Sequence, residues 1–276
     1  MFKVFTISQL KRPYLPSSPD SIALYMTHLH RLGLQSTTIR AHLSALSFFH
    51  RIKGYPSPTS AFIITKLLET YRRRDRPRRT RKPIHSYLLK RVNSALSRHQ
   101  FGYDSYLYRA IFSLMYHGAL RISEIAPTTT NSHALLLDQV HIKDEKHGRP
   151  ASVKILFRSF KHTPRATTTL KLKPTGDITC PVSAWRKYLL KRPNVTTYAF
   201  LNQDKTPVTR QQVAHMLQSI LSTLGHNHKH YNTHSFRIGK ATDMALKGYS
   251  NTQIALHGRW SSNAFQKYIK PNVIKI

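Results

Sequence analysis

Between Arg72 and Lys82, eight of eleven residues are basic: Arg72, Arg73, Arg74, Arg76, Arg78, Arg79, Arg81 and Lys82. Pro77 interrupts the run and Pro83 follows it. Like charges at that density repel one another and cannot enter an apolar core. The run is therefore expected to be an extended linker, and any core must form before it or after it. Two readings of the run are compatible. It is a solvated charge run or nuclear-import signal, or it is a strap lying along the phosphates of a nucleic acid.

The segment before the run reads as a small helical bundle. Ser18-Pro19-Asp20 is a helix start, with Ser as N-cap, Pro at the first helical position and an acid at the positive end of the dipole. Ile22, Tyr25, Met26, Leu29 and Leu32 follow at helical spacing, and Gly33 closes the helix. A second helix is expected from about Thr37, with Ile39, Leu43, Leu46, Phe49 and Ile52 on one face, ending at Gly54. A third follows Ser57-Pro58 through Phe62, Ile63, Leu67 and Leu68. Arg40, with His28, His30, Arg31, His42 and Arg51, lies between the apolar positions. That polar face meets either solvent or DNA.

After the run the pattern becomes α+β and mostly helical. Helices are expected over 86–97 and 104–118, from Ser183, over 209–225 and 233–248, and from Ser250. The last opens with the capping box Ser250-x-x-Gln253. Short strands are expected at 140–143, 153–158 and 167–172, where β-branched residues alternate. The expected fold is mainly α with a small β-sheet, in two domains, 1–82 and 83–276.

Charge narrows the partner. Lys and Arg number 44 against 11 Asp and Glu, a formal charge of +33, while 40% of residues are hydrophobic. Such a chain folds, and it needs a polyanion to neutralise it. Nucleic acid is the first candidate, and on charge alone a structural nucleic-acid binder such as a ribosomal protein fits as well. A lone Cys180 excludes an internal disulfide. The opening Met1-Phe2-Lys3-Val4-Phe5-Thr6 lacks a signal-peptide pattern, and no apolar run approaches the ~18 residues of a membrane span. An intracellular protein without a membrane partner is expected. His226-x-His228-x-His230 has no acid or cysteine close by in sequence, and reads as a solvated or DNA-facing loop rather than a metal site.

The chemistry is carried by three short segments: Gly118-Ala119-Leu120-Arg121-Ile122-Ser123-Glu124, His234-Ser235-Phe236-Arg237, and Gly258-Arg259-Trp260 leading to Tyr268. Phosphoryl transfer at DNA needs cations on the non-bridging oxygens, a nucleophile in line and a proton for the leaving oxygen. Arginine suits the first task, because its planar fork grips two oxygens and stays charged. The acids are too scattered for a two-metal site, and no Walker-type phosphate loop is present. No cofactor, metal or ATP is expected.

In order and spacing these segments resemble the tyrosine recombinases, the phage-integrase family. The Gly-Arg-Trp form is most similar to the branch found in DIRS-, Ngaro- and Crypton-like mobile elements. The resemblance implies an all-helical, SAM-like core-binding domain followed by an α+β catalytic domain. It implies an enzyme that cuts and rejoins DNA through a 3′-phosphotyrosine. On that basis Arg121 and Arg237 are the clamp arginines, Glu124 orients the clamp, and Lys161 protonates the leaving 5′-hydroxyl. His234 handles the tyrosine proton and Tyr268 is the nucleophile. The family usually has His or Trp directly after the glycine at 258, where this chain has Arg259. Arg259 is then a third phosphate clamp, or Trp260 supplies the packing and the indole donor. The resemblance further implies a homo-tetramer on paired sites, and a nuclear location if the element is eukaryotic. Rival readings are a type IB topoisomerase-like enzyme and a catalytically inactive, domesticated DNA-binding protein.

Overall fold

The computed structural model describes residues 1–76, 81–98, 101–128, 133–143, 151–158 and 167–270. Two compact units divide the chain, Met1–Arg79 and Thr80–Ile276.

The first unit holds α1 (Phe2–Ser8), α2 (Pro19–Arg31), α3 (Ser36–Ile52) and α4 (Phe62–Arg74). In α2, Pro19 takes the first position and the Ser18 side chain accepts from the Ser21 N–H at 3.2 Å. Ile22, Tyr25, Met26 and Leu29 face the core, but Leu32 lies past the helix end and is exposed. The buried face of α3 is Ile39, Leu43, Leu46 and His50, not the expected line through Phe49 and Ile52, which are exposed. A 3.6-residue period starting at Ile39 reaches position 50 and carries 49 and 52 round to solvent. His50 is tolerated there because both ring nitrogens are satisfied. Nδ1 donates to the Leu46 carbonyl at 2.8 Å, and Nε2 accepts from the Ser17 N–H at 3.0 Å. In α4 Ile64 and Tyr71 are buried and Leu67 and Leu68 pack half-buried against the same core, while Phe62 and Ile63 are exposed.

The basic run is not one extended linker. Arg72, Arg73 and Arg74 form the last turn of α4, all exposed. Their charges stay in water, and the negative end of the helix dipole favours cations there. Tyr71 holds the turn in place, stacking on His30 at 4.1 Å and hydrogen-bonded to the Thr27 hydroxyl at 3.0 Å. Asp75 then caps α3, accepting from the Ser36 N–H at 2.9 Å. Arg76 is exposed and non-helical, and Arg78 and Arg79 lie outside the described residues. Arg81 and Lys82 belong to the second unit, where the Arg81 guanidinium donates to the Lys229 carbonyl and the Lys82 N–H to the His230 carbonyl, each at 2.8 Å.

The second unit is built on α6 (Gly102–His117), buried along most of its length from Leu107 to Tyr116. Around it lie α5 (Ser86–Leu96), α8 (Pro181–Leu189) and α10 (His234–Leu246), with α7 (Ile122–Ile125), α9 (Arg210–Thr223) and α11 (Asn251–Gly258). An antiparallel sheet runs in the order β1 (Val140–Lys143), β2 (Ser152–Phe157), β3 (Thr168–Leu172), with Val140 opposite Ile155 and Val153 opposite Leu172. Val153, Ile155 and Phe157 share the buried face of β2, as period-two alternation requires.

One contact fixes the helix that matters most for the site. The Ile84 N–H donates to the Ser235 carbonyl at 3.0 Å, and a Cβ at Gly239 would stand 1.8 Å from the Ile84 oxygen. Only glycine allows α10 to approach that backbone. Asp243, one helical turn further on, accepts from the Ser86 N–H at 2.8 Å, from the Tyr116 hydroxyl and from His85. Burial opposes the Asp243 carboxylate, but these donors outweigh it and hold its pKa below the usual range. No helix among the described residues is long and apolar enough to cross a membrane.

Candidate active site

The three chemistry-bearing segments, the first more than a hundred residues before the other two in sequence, meet where α6, α10 and α11 converge. After α6 the chain turns at Ala119, with φ at +46°, and buries Leu120 before presenting Arg121 as the N-cap of α7. Glu124, in the first turn of α7, reaches back to accept from the Arg121 N–H at 2.8 Å and from its guanidinium at 3.3 Å. The Glu124 side chain is 6% exposed and that of Arg121 30%. The carboxylate is buried while the arginine keeps a face toward solvent.

His234 opens α10 and Arg237 sits three residues on, so both share one face of its first turn. Arg237 is completely buried. Its Nη1 donates to the Ala119 carbonyl and its Nη2 to the Gly258 carbonyl at 2.6 Å. The Trp260 ring covers the guanidinium, 3.9 Å from its centroid, and the Tyr268 ring lies at 5.6 Å. Burial, then the charges of Arg121 and Arg259, lower the Arg237 pKa to about 9. His234 packs against Tyr268 with ring centroids 4.8 Å apart. Desolvation, then Arg237 and Arg121, lower its pKa to about 4. His234 is nonetheless an exposed residue, and its imidazole is neutral at neutral pH.

The end of α11 divides Arg259 from Trp260. Arg259 caps the helix in the left-handed conformation, φ +56°. The chain reverses there, and the Trp260 ring folds back so closely over Gly258 that a Cβ would lie 1.7 Å from it. Arg259 turns inward: its side chain is 5% exposed and its Nη2 meets Glu124 at 3.0 Å. Nη1 donates to the Gly118 carbonyl at 3.0 Å, and the guanidinium lies over the Phe157 ring at 4.3 Å. A direct grip on phosphate would require Arg259 to release these partners. Trp260 takes the packing position between Arg237 and Tyr268, whose ring centroid is 5.0 Å from its own. Tyr268 ends a 3₁₀ turn, Asn263–Tyr268, and its carbonyl accepts from the Thr242 hydroxyl of α10 at 3.1 Å.

Arg121, Glu124, His234, Arg237, Arg259, Trp260 and Tyr268 are thus brought together, whereas Lys161 lies outside the described residues. Three guanidiniums, those of Arg121, Arg237 and Arg259, share the single carboxylate Glu124 in this cluster. The Nε of Arg237, the Nε of Arg259 and the Nε1 of Trp260 are buried without a hydrogen-bond partner. An excess of buried positive charge with unpaired donors is a site for an anion. The role of Phe157 beneath Arg259 was not legible in sequence, where it reads only as an inward strand residue. Arg40 lies in the first unit, exposed on α3. His226 and His228 engage different neighbours, Arg91 at 3.3 Å and Ser222 at 3.0 Å, and no group of three or more potential ligands is placed to hold a metal among the described residues.

Comparison with known proteins agrees with this geometry. Residues 87–273 match the phage integrase family. The chain is similar to the recombinase Cre of Escherichia phage P1, 23% identical over 280 residues, covering 94% of this chain and 78% of that protein. Among solved structures, the Tn1549 transposon integrase in complex with circular intermediate DNA superposes with a TM-score of 0.59 at 16% identity, covering 92% of this chain and 81% of that one. XerH recombinase bound to palindromic difH substrate gives 0.63 at 12% identity, covering 94% and 71%. With a family match over more than half its length and the arginine, histidine and tyrosine segments gathered in one site, the chain belongs to the phage integrase family, the tyrosine recombinases.

Proposed function

We propose that this protein is a site-specific recombinase that cuts and rejoins double-stranded DNA through a 3′-phosphotyrosine. The observation that carries the reading is the cluster of three guanidiniums around one buried carboxylate, with His234 and Tyr268 packed against it. Arg121 and Arg237 hold the non-bridging oxygens of the scissile phosphate. Glu124 and Arg259 hold Arg121 in place from behind. Arg237 has no exposed surface, so contact with phosphate requires Trp260 and Tyr268 to swing off its face. The Tyr268 phenol oxygen attacks phosphorus as the bond to the 5′-oxygen breaks. His234, neutral at working pH, takes the phenolic proton. Lys161 gives a proton to the departing 5′-oxygen. A 5′-hydroxyl from a second strand then reverses the steps and releases Tyr268.

The basic residues Arg72, Arg73, Arg74, Arg76, Arg78, Arg79, Arg81 and Lys82, with Arg40 on α3, follow the phosphate backbone. The Gly258-Arg259-Trp260 segment favours a recombinase of the DIRS/Ngaro/Crypton-like mobile elements, acting as a tetramer on paired sites, in the nucleus if the host is eukaryotic. The phosphate-binding charge comes from protein cations, so cleavage should persist in EDTA. The test is a covalent trap. Wild type and Tyr268→Phe are incubated with a pool of nicked duplexes, denatured in detergent and scored for protein-linked DNA. An adduct in wild type alone is expected. No adduct from wild type despite tight binding, even with DNA flanking the native gene, would refute the enzyme in favour of a DNA-binding protein.

A further inference from the structure

The carbonyls at and just beyond the end of α6 are not left to solvent. In a helix C-terminus several carbonyls lack an intrahelical donor and carry the negative end of the dipole. Here three successive carbonyls each accept from a side chain of a distant element. The His117 oxygen accepts from His257 Nε2 at 2.8 Å, the Gly118 oxygen from Arg259 at 3.0 Å, and the Ala119 oxygen from Arg237. Arg237 comes from α10, His257 from the last turn of α11 and Arg259 from its cap. The chain that leaves these carbonyls reaches Arg121 two residues after Ala119.

We propose that His257 is a positioning residue of the DNA-cleavage site, holding the end of α11 in register with the end of α6 while the neighbouring arginines engage phosphate. The reasoning rests on the recombinase reading above. Arg237 is a cation that an incoming phosphate attracts, so its bond to the Ala119 carbonyl competes with the substrate, while Arg259 is held by both the Gly118 carbonyl and Glu124. His257 carries no such competing charge. Burial, then Lys240 and the two arginines, lower its pKa to about 4, although its bond to the carbonyl favours the cation. At neutral pH the ring is therefore neutral, with its proton on Nε2, the nitrogen facing the carbonyl. It makes no ion pair and has no part in proton transfer to Tyr268. It keeps the His117–His257 link when the bond of Arg237 to the Ala119 carbonyl, two residues on, is traded for phosphate oxygens.

The test compares His257→Ala, His257→Met and His257→Gln in the full chain, using the pool of nicked duplexes as probe. Binding midpoints, single-turnover adduct formation and thermal midpoints are measured together. Methionine fills the space without a donor, and so serves if the alanine variant does not fold. Glutamine places an amide N–H near the position of Nε2. Adduct formation slowed tenfold or more in His257→Met, with binding within twofold of wild type, and largely restored in His257→Gln, is the expected result. Wild-type rates in all three variants would overturn the positioning role. A fall in binding and thermal midpoint that tracks the rate, with no rescue by glutamine, would overturn it in favour of a purely structural residue. Absence of a Tyr268-dependent adduct in wild type would overturn the recombinase reading, and the inference with it.

Discussion

Glu124 and Arg259 form a buried ion pair, and its energetics can be worked from the structure. The two side chains are 6% and 5% exposed and meet at 3.0 Å. Glu124→Gln keeps the shape and one acceptor but removes the charge, leaving Arg259 as a buried cation. Breaking a buried pair from one side costs roughly 3–5 kcal/mol. The glutamine oxygen still accepts one N–H, returning about 1 kcal/mol. Arg121, 30% exposed, adds less than about 1 kcal/mol because solvent screens it. The expected loss is about 2–4 kcal/mol. Arg259→Met leaves the carboxylate to the Arg121 N–H and its partly exposed guanidinium, so the expected loss is smaller, about 1–3 kcal/mol. The double variant strands neither charge. It should be more stable than the sum of the single losses by about 2 kcal/mol or more. Urea unfolding followed by tryptophan fluorescence is the assay. Both tryptophans, Trp185 and Trp260, lie in the second unit, so the signal reports that unit alone. Additivity within about 0.5 kcal/mol would refute the view that Arg259 serves chiefly as the buried partner of Glu124.

Acid should weaken the second unit early. Burial, then Lys240, holds His257 near about 4 and His117 near about 3. The unfolded chain takes up those protons near pH 6.5 and the folded chain refuses them, so stability is lost as pH falls from about 6.5 toward 4. Urea midpoints that stay flat between those values would contradict this, since His117, His257 and His234, the last also lowered to about 4 by burial, give an expected uptake approaching three protons on unfolding. Gly239→Ala forces a methyl onto the Ile84 carbonyl and should destabilise the second unit by about 1–3 kcal/mol or more, read as a lower unfolding midpoint. An unchanged midpoint would mean the close approach to Ile84 is not maintained. Replacing Arg72, Arg73 and Arg74 by glutamine should reduce the salt slope of DNA binding by up to ~0.9 for each phosphate no longer neutralised. An unaltered slope would place the end of α4 away from the phosphates.

Local patterns carried much of the fold. The Ser18-Pro19 start, the alternation in β1 to β3 and the Ser250-x-x-Gln253 box each stand in the structure where the residues placed them. The errors arose where a local rule met a competing one. The α3 face ran through His50 rather than Phe49, because two specific hydrogen bonds made a buried imidazole acceptable. Arg72 to Arg74 stayed helical because repulsion between exposed charges is weak beside the packing of Tyr71.

By itself the sequence determined most of the elements, though not α1, α7 or the end of α4, together with the excess of positive charge and the residue types able to handle a phosphate. Those depend on periodicity, composition and neighbours within a few positions. Tertiary structure alone decided which way Arg259 and Trp260 turn. The choice follows from the left-handed cap at 259, the buried Glu124 that draws the guanidinium inward, and the Arg237 face that receives the indole. The helix carbonyls that seat His257, Arg259 and Arg237 lie between 118 and 141 residues away along the chain. A hydrogen bond of that separation is set by how α6, α10 and α11 pack, and no local pattern encodes it.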